Sequence, residues 1–342
     1  MPVAEVSTAV ESRPGRNGQD QTASLWVGLR SRFLAALSPA DQVHIFDLTA
    51  RTAQELHRWA ARYPLIRRVR VWPLALSVAA AAPFASVDAL ISMARWNLWA
   101  FTLDDLFDEE RVPQGELMRR IERYRLLSRS EQPAPAGDSL AAALCEIRDD
   151  LARYPLFSAL RAEWVDALCG TINGMAREYA WRLAYRRTGE AALPSYDEYL
   201  ANGRYSIGGP PHVWVALITA GDPSTPQHVE HLRSMEAIAS TCIRLANDLQ
   251  SYPKEVGEGK INALGLLSYA YQREGVPAEE AYRRAEGRVR SAIADGLATL
   301  DVLQAAGQTQ TGRPAALIAD LARFVCDFYG EHDYHTFVGQ RN

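Results

Sequence analysis

Apolar side chains recur along most of this chain at steps of three and four residues, the spacing that places them on one face of an α-helix. Two stretches keep the pattern over several turns. Their apolar positions are Trp164, Leu168, Ile172, Met175, Tyr179 and Leu183 in the first, and Tyr282, Ala285, Val289, Ile293, Leu297 and Leu300 in the second. No run alternates with a period of two for long enough to predict a β-strand. The pattern therefore predicts an all-α protein.

Capping residues and prolines predict where several helices begin and end. Ser38 followed by Pro39 is typical of a helix start, and Pro64 should end that helix. A second helix is expected from Leu74, and Pro83 should kink it or separate it from the next helix. These boundaries fall at intervals typical of a helical bundle.

The chain is expected to form one domain between two short tails. We place the domain at residues 25–337, with a polar, disordered tail at 1–24 and a C-terminal tail at 338–342. A proline- and glycine-rich loop is predicted at 132–138. No internal repeat is visible.

One interruption in this helical pattern is conspicuous. Gly208 and Gly209 are followed by Pro210 and Pro211, a combination that cannot continue a regular helix. The break exposes backbone groups that no helical partner satisfies. A simple surface turn would explain it, and the residues alone do not decide whether the break has a function.

Composition excludes several classes of protein. The chain has 342 residues, 48% of them hydrophobic and 23% charged, and a net charge of −4, which offers no general attraction for nucleic acid. No stretch of about 18 apolar residues predicts a membrane span, and no apolar segment near the N-terminus resembles a secretory signal. Four scattered cysteines, Cys145, Cys169, Cys242 and Cys326, suggest reduced thiols. We expect a cytoplasmic protein.

An acidic cluster closes the apolar run at 96–101. Asp104 and Asp108 are four residues apart and share a helix face, with Asp105 beside them. Carboxylates packed this closely repel one another and need a compensating cation. Mg²⁺ is the usual choice, since it prefers oxygen ligands. The alternative is a solvated acidic helix end.

A second cluster strengthens the metal interpretation. Asn247, Ser251 and Glu255 follow one another at intervals of four residues and so share one helical face. An amide oxygen, a hydroxyl and a carboxylate in line would form another all-oxygen half of a magnesium site. The basic segment with Arg67 and Arg70 is better explained as a solvated turn than as a diphosphate contact.

At this point the sequence resembles the class I terpene synthases. Their aspartate-rich motif is similar to Asp104-Asp105-Leu106-Phe107-Asp108-Glu109, and their N-D-x-x-S-x-x-x-E motif is similar to residues 247–255. The two motifs occur in the same order, 143 residues apart (247 − 104). The resemblance implies a single-domain bundle of about a dozen helices around a deep apolar cavity.

The resemblance also implies a site with three Mg²⁺ ions. Asp104, assisted by Asp105 or Asp108, would bind on one side, and Asn247, Ser251 and Glu255 on the other. By the same resemblance, Arg204 would be the arginine that senses the diphosphate, and Lys254 would contact diphosphate oxygens. Ile207 and Gly208 would then occupy the linker and effector positions at the helix break.

Aromatic side chains are expected to steer the carbocation, because their faces attract cations. Phe101 lies one turn before Asp104 and is the best candidate. Weaker candidates, which are more often ordinary core residues, are Trp72, Trp96, Trp99, Trp181 and Tyr334.

Three departures from the family pattern stand out. Pro253 lies inside the second motif and removes a helical hydrogen bond, so Glu255 was expected on a kinked turn. Asp333-Tyr334 stands where the family has an Arg-Tyr pair, which leaves Tyr334 as the remaining diphosphate contact. The acidic residues after Asp108 continue as Glu109-Glu110, which makes the ligand set of the first motif ambiguous.

The implied function is Mg²⁺-dependent ionisation of a prenyl diphosphate, a carbon–oxygen lyase reaction that yields a terpene hydrocarbon or alcohol. The stretch 258–264 resembles kaurene-synthase-type enzymes, which favours geranylgeranyl or a labdane-type C20 diphosphate. Farnesyl diphosphate, as in a sesquiterpene synthase, is the alternative, and a non-catalytic helical scaffold is the remote one. The expected partner is the small-molecule substrate. Whether the chain forms a homodimer stays open.

Overall fold

A computed structural model describes residues 30–109, 112–307 and 309–334, which form α-helices and connecting loops without a β-strand in that part of the chain. We label the thirteen α-helices of these residues α1 to α13. Their bounds are α1 Arg32–Ala35, α2 Pro39–Ala60, α3 Val71–Ala81, α4 Val87–Asp108, α5 Gln114–Arg129, α6 Ser139–Leu151, α7 Phe157–Thr188, α8 Tyr196–Ser206, α9 Gly209–Ala220, α10 Val229–Glu258, α11 Ala263–Arg273, α12 Ala278–Ala306 and α13 Arg313–Glu331. The all-α prediction is confirmed. The predicted tails at 1–24 and 338–342 lie outside the described residues, and the domain bounds stay predictions.

Most of the helix boundaries agree with the sequence pattern. The Ser38 hydroxyl accepts a hydrogen bond from the Asp41 N–H and caps α2, which ends at Ala60, slightly before the expected position. Pro83 lies between α3 and α4, so it separates two helices rather than kinking one. Most of the long apolar stripe predicted for α7 is buried, including Trp164 and Leu168.

Helix α9 lies at the centre of the bundle. Its residues from Gly209 to Ile218 are buried on every side, because the helix packs against α4, α7, α8 and α10. A short helix that is apolar all round can only be an internal one. The N-terminal end of α9 therefore lies between α4, which carries the first acidic motif, and α10, which carries the second.

The two motif helices share α9 as a neighbour, but their other main neighbours differ. Helix α4 packs against α2, α3 and α6, whereas α10 packs most extensively against α12 and α13. Helix α13 also packs against α3 and so connects the two halves of the bundle. The motifs are consequently presented from two separately supported walls.

The basic segment before α3 differs from its prediction as a solvated turn. Arg70 is only 1% exposed, and its guanidinium donates two hydrogen bonds of 2.8 Å to the two carboxylate oxygens of Asp105. Arg68 is exposed as predicted. The correction has a physical reason: a buried arginine needs a bidentate partner, and Asp105 on α4 supplies one.

The described residues contain no helix that is both long and apolar enough to cross a lipid bilayer. All four cysteines are free thiols; three are buried and Cys326 is half-buried. Both observations agree with the sequence analysis.

The Arg70–Asp105 pair should contribute strongly to stability. We expect Arg70→Met to lower the free energy of unfolding by about 3–5 kcal/mol, because it leaves a buried carboxylate without its bidentate partner. Arg67 also approaches Asp105, at 3.4 Å, but its side chain is 39% exposed and is a poor replacement. Arg68→Met removes the same charge at an exposed position and should change stability by no more than about 0.5 kcal/mol. Urea unfolding of both variants tests this, and similar losses in the two would contradict it.

Candidate active site

A cavity opens between the C-terminal ends of α4 and α10. Its lining includes eight of the residues predicted from the sequence, namely Phe101, Asp104, Asp108, Gly208, Asn247, Ser251, Lys254 and Glu255. Three predicted residues, Asp105, Arg204 and Tyr334, are not among those that line it. The cavity therefore brings the two motifs together while leaving part of the predicted set outside.

Asp104 is the acidic residue of the first motif that has no partner. Within the described residues its carboxylate makes neither an ion pair nor a hydrogen bond, although it lines the cavity. Burial raises the pKa of Asp104 well above its usual range, and the neighbouring carboxylates of Asp108 and Asp105 raise it further. A half-buried carboxylate that its neighbours repel is the group that a bound cation would stabilise most.

Asp108 is held by two cations. Arg182 of α7 donates a hydrogen bond of 2.9 Å to one carboxylate oxygen, and the Lys260 ammonium donates one of 2.8 Å to the other. Burial alone would raise the pKa of Asp108, but Lys260 and Arg182 outweigh it, so that pKa is lowered. Lys260 follows α10, so this contact crosses the mouth of the cavity from one motif to the other.

Asp105 faces away from the cavity. Besides its bidentate pair with Arg70, it lies 3.4 Å from the guanidinium of Arg67, and Arg67 also pairs with Glu109. The ambiguity that the sequence left in the first motif is thereby reduced, because Asp105 and Glu109 are engaged with arginines. Glu110 lies outside the described residues.

The ligands proposed from the second motif project from one face of α10. The Ser251 hydroxyl donates to the Asn247 carbonyl over 2.9 Å, which leaves its oxygen lone pairs available. Asn247 is hydrogen bonded to the Tyr329 hydroxyl of α13, and Glu255 accepts a bond of 2.8 Å from Asn262. Each side chain is thus oriented by a neighbour while still lining the cavity.

Pro253 does not interrupt α10, which continues from Val229 to Glu258. The helix ends at Gly259, where φ is +65°, and the Lys260 N–H donates to the Glu255 carbonyl over 3.0 Å. This closing turn sends the chain back toward the cavity and places Lys260 beside Asp108.

Asp248 anchors the second motif from behind. The Tyr199 hydroxyl lies 3.0 Å from both carboxylate oxygens and donates its one hydrogen to them, the Ala263 N–H donates over 3.3 Å, and Arg244 lies 3.1 Å away. Burial raises the pKa of Asp248 to about 7 despite the opposing effect of Arg244. This buried cluster joins α8, α10 and α11, so it fixes the rotation of α10 that turns Asn247 toward the cavity.

Arg244 and Glu178 were not predicted from the sequence, yet both line the cavity. Glu178 accepts a hydrogen bond from the Ser206 hydroxyl and lies 3.4 Å from Arg244. Arg182 and Lys260 were missed as well. Only the position of Arg244 in line with Asn247, three residues earlier on the same helix, could have indicated one of them.

The helix break has a definite conformation. Helix α8 ends at Ser206, and Gly208 adopts φ +77°, a left-handed backbone that favours glycine. A Cβ there would meet only the Ala100 methyl group at 3.6 Å, so the backbone angle and not the space demands glycine. Gly208 is also part of the cavity wall, which agrees with a functional break rather than a simple surface turn.

Arg204 and Tyr334 are engaged elsewhere. The Arg204 guanidinium stacks over the Tyr205 ring, 4.4 Å from its centre, and donates a hydrogen bond of 2.6 Å to the Tyr205 hydroxyl. The Tyr334 hydroxyl is hydrogen bonded to Ser77, and its ring packs against Phe328. The cations that line the cavity are instead Arg182, Arg244, Lys254 and Lys260.

The predicted aromatic residues fall into two groups, those that line the cavity and those that belong to the hydrophobic core. Phe101 lines the cavity, with the Arg70 guanidinium 5.0 Å from its ring centre on the other side, and Trp181 also contributes to the wall. Trp96 and Trp99 are fully buried and Trp72 is half-buried outside the lining, so these three are core residues.

The oxygen atoms that line the cavity fit an Mg²⁺ ion whose remaining coordination positions are filled by a bound ligand and waters. In the described part of the chain, no three His, Cys, Asp or Glu side chains converge as a complete metal site. Asp104 and Asp108 face the amide, hydroxyl and carboxylate of α10 across the cavity, and these are hard oxygen donors. Mg²⁺ usually takes one or two carboxylates and completes its shell with waters and phosphate oxygens.

Fold and site together define an all-helical protein in which two helices present facing sets of oxygen donors to one cavity. The family model for terpene synthase family 2, C-terminal metal binding, matches residues 95–295, more than half of the chain, and the protein belongs to this family.

Two curated relatives illustrate the similarity. An ent-13-epi-manoyl oxide synthase of Salvia miltiorrhiza is 28% identical over 244 residues, which cover 66% of this chain but only 28% of the plant protein. The chain thus spans about a quarter of the plant relatives. The (12E)-labda-8(17),12,14-triene synthase of Streptomyces cyslabdanicus is 25% identical over 301 residues, covering 84% of this chain and 85% of that one.

Solved structures show the same fold. The 2-methylisoborneol synthase of Streptomyces coelicolor, in complex with Mg²⁺ and geranyl-S-thiolodiphosphate, superposes with a TM-score of 0.67 at 17% identity, covering 83% and 92% of the two chains. Linalool/nerolidol synthase of Streptomyces clavuligerus gives a TM-score of 0.63 at 20% identity, covering 83% and 97%.

The two neighbouring aspartates should respond to mutation in opposite ways. Asp104→Asn removes a half-buried, repelled charge, so we expect the metal-free protein to unfold at the same temperature or a few degrees higher. Asp105→Asn weakens the pair with Arg70 and should lower that temperature. Mg²⁺ with inorganic diphosphate should stabilise the Asp105 variant but not the Asp104 variant. The measurement is the unfolding temperature with and without Mg²⁺ and diphosphate. Equal changes in the two variants would contradict the assignment of Asp104 to the metal and of Asp105 to Arg70.

Proposed function

We propose that this protein is an Mg²⁺-dependent class I terpene synthase that ionises a prenyl diphosphate and converts the resulting carbocation to a terpene hydrocarbon or alcohol. One observation carries the proposal: the unpartnered carboxylate of Asp104 faces Asn247, Ser251 and Glu255 across a cavity whose adjoining wall includes Phe101.

The charged residues at the mouth would bind and orient the diphosphate. Bound Mg²⁺ would supply Lewis-acid stabilisation of the leaving group, with Asp104 and Asp108 on one wall and Asn247, Ser251 and Glu255 on the other. Lys254, Lys260, Arg182 and Arg244 line the same mouth and would add fixed positive charge where negative charge develops. Arg204 remains a predicted diphosphate sensor, but its stacking on Tyr205 means that it would have to turn toward the ligand.

Deeper residues would protect the cation. Phe101 presents an aromatic face to the cavity, and a desolvated cation gains about 2 kcal/mol or more from such a face. Met175, Ile207 and Gly208 complete an apolar wall that would exclude water from reactive intermediates. In this proposal, ionisation would occur at the mouth and the hydrocarbon chain would lie inside.

A C20 substrate is favoured. The relatives named above act in labdane and manoyl oxide formation, and those names denote C20 skeletons. The stretch 258–264 supports the same substrate class, and the structure gives it a role, since Lys260 contacts Asp108 and Asn262 contacts Glu255. A cytoplasmic location and three metal ions remain predictions, and the oligomeric state stays open.

Product analysis tests the proposal directly. Purified protein with Mg²⁺ should convert a C20 diphosphate to an extractable terpene, and chelation of Mg²⁺ should stop the reaction. C10, C15 and C20 diphosphates, the last both linear and in a labdane-type form, are compared by gas chromatography–mass spectrometry. Asp104→Ala and Asn247→Ala should each remove most turnover. Preference for farnesyl diphosphate would indicate a sesquiterpene synthase, and no turnover of any substrate by folded protein would indicate a non-catalytic scaffold.

Lys260 should compete with the metal for Asp108. Because its ammonium occupies one Asp108 oxygen, we expect Lys260→Met to tighten the binding of Mn²⁺, a spectroscopic substitute for Mg²⁺, several-fold in the absence of diphosphate. Lys254→Met is the matched control, since Lys254 lines the same cavity but pairs with Glu258 at 3.9 Å. Electron paramagnetic resonance titration measures free Mn²⁺. Equal affinity changes in the two variants would show a general charge effect and no specific competition.

A further inference from the structure

Asn97 is a polar residue in an otherwise apolar stretch of α4. Between Ala89 and Leu103 this helix is buried except at a few positions, and three of the partly exposed ones, Asn97, Phe101 and Arg95, fall within two turns. Asn97 and Phe101 line the cavity, whereas Arg95 lies on another face, near Trp59. The exposed surface of Asn97 therefore faces the cavity.

The Asn97 amide has no partner within the described residues, where no side chain or backbone group is hydrogen bonded to it. Three other polar residues that line the cavity are paired with one another: Ser206 donates to Glu178, and Glu178 lies 3.4 Å from Arg244. Asparagine is also a poor helix former, and an amide in an apolar wall loses its hydration. Asn97 thus lowers both the helix propensity and the solvation of this position, and a leucine here would avoid both costs.

The depth of Asn97 separates it from the diphosphate. It precedes Asp104 by seven residues, which is about 10 Å along the helix axis. Phe101 lies between the two on the same face. Asn97 therefore faces the hydrocarbon part of any substrate whose diphosphate is held at the motif residues.

We propose that Asn97 is a specificity-determining residue that hydrogen bonds a hydroxyl group inside the cavity, so that the enzyme's preferred reaction yields an oxygenated terpene. The proposal rests on the proposed function and deepens it. The amide can donate to the hydroxyl oxygen and accept from its hydrogen, which a purely apolar wall cannot do.

The hydroxyl group could come from two sources with the same chemistry. A water molecule held by Asn97 would add its oxygen lone pair to the carbocation and form a C–O bond. Alternatively, a labdane-type substrate would bring a hydroxyl whose oxygen closes a cyclic ether on the cation. In both cases the oxygen loses one proton, and the diphosphate released by ionisation accepts it, so atoms and charge balance.

Product analysis in H₂¹⁸O distinguishes these sources. The wild type is incubated with geranylgeranyl diphosphate and with labdane-type C20 diphosphates that do or do not carry a hydroxyl. Label in the product indicates captured water, whereas an unlabelled ether or alcohol from the hydroxylated substrate indicates a hydroxyl brought by the substrate. Asn97→Leu, which keeps the side-chain size, should lower the oxygenated fraction at least tenfold in favour of hydrocarbons.

A matched control and a binding measurement complete the test. Asn173→Leu makes the same replacement at an exposed asparagine of α7 that contacts Arg125, and it should leave the product ratio unchanged. Binding of unreactive thiolodiphosphate analogues with and without the hydroxyl is measured in wild type and Asn97→Leu. Two results would overturn the hypothesis that Asn97 holds a water molecule. The wild type would yield hydrocarbons only, or Asn97→Leu would yield the same oxygenated fraction as the wild type. If wild type and Asn97→Leu prefer the hydroxylated analogue equally, Asn97 does not bind a hydroxyl carried by the substrate. This binding result does not depend on turnover, so it is distinguishable from a failure of the proposed function.

Discussion

The cost of burying negative charge constrains this whole site. A carboxylate removed from water is stable only when a cation or several donors compensate it. Arg70 compensates Asp105, Arg182 and Lys260 compensate Asp108, and Arg244 with Tyr199 compensates Asp248. Asp104 is the exception in the first motif. The bundle thus stabilises its acidic residues individually and leaves one carboxylate, at the cavity, for an added cation.

The partners of these carboxylates also determine the geometry of the helices. Arg70 and Asp105 join the start of α3 to the end of α4, and a bidentate pair restricts the rotation of both. Asp248 likewise restricts the rotation of α10, through its hydrogen bonds to Tyr199 of α8 and to the Ala263 N–H of α11. Since each anchored residue is adjacent in sequence to a candidate ligand, locking one side chain on the rear face turns the next toward the cavity. In both motifs, therefore, a structural carboxylate directly follows a candidate metal ligand: Asp105 follows Asp104, and Asp248 follows Asn247.

Local spacing explains how much the sequence could predict. The helical periodicity and the i, i+4 relation of Asn247, Ser251 and Glu255 depend only on nearby residues, and the motif side chains do line one cavity. Partner choice depends on tertiary structure. That Arg70 is buried against Asp105, that Arg204 stacks on Tyr205, and that the Tyr334 hydroxyl bonds to Ser77 follow from packing between distant segments. Helix α10 continues past Pro253 to Glu258, and the kink expected at that proline stays a prediction.

The mouth and the interior of the cavity follow different physical rules, and this limits what the motifs can specify. At the mouth, charges act over several ångströms, so a few oxygen donors and cations would suffice to bind the proposed diphosphate and to favour its departure. Inside, the proposed carbocation would be controlled by short-range contacts with a wall built from α4, α7 and the break at Ser206, Ile207 and Gly208, where a single polar group would change which nucleophile it meets. Phe101 offers that cation only an aromatic face, whereas Asn97, one turn deeper, offers a hydrogen-bonding amide. In the proposed reaction, the motif residues would therefore determine that ionisation occurs, whereas the fate of the cation would depend on the residues of this inner wall.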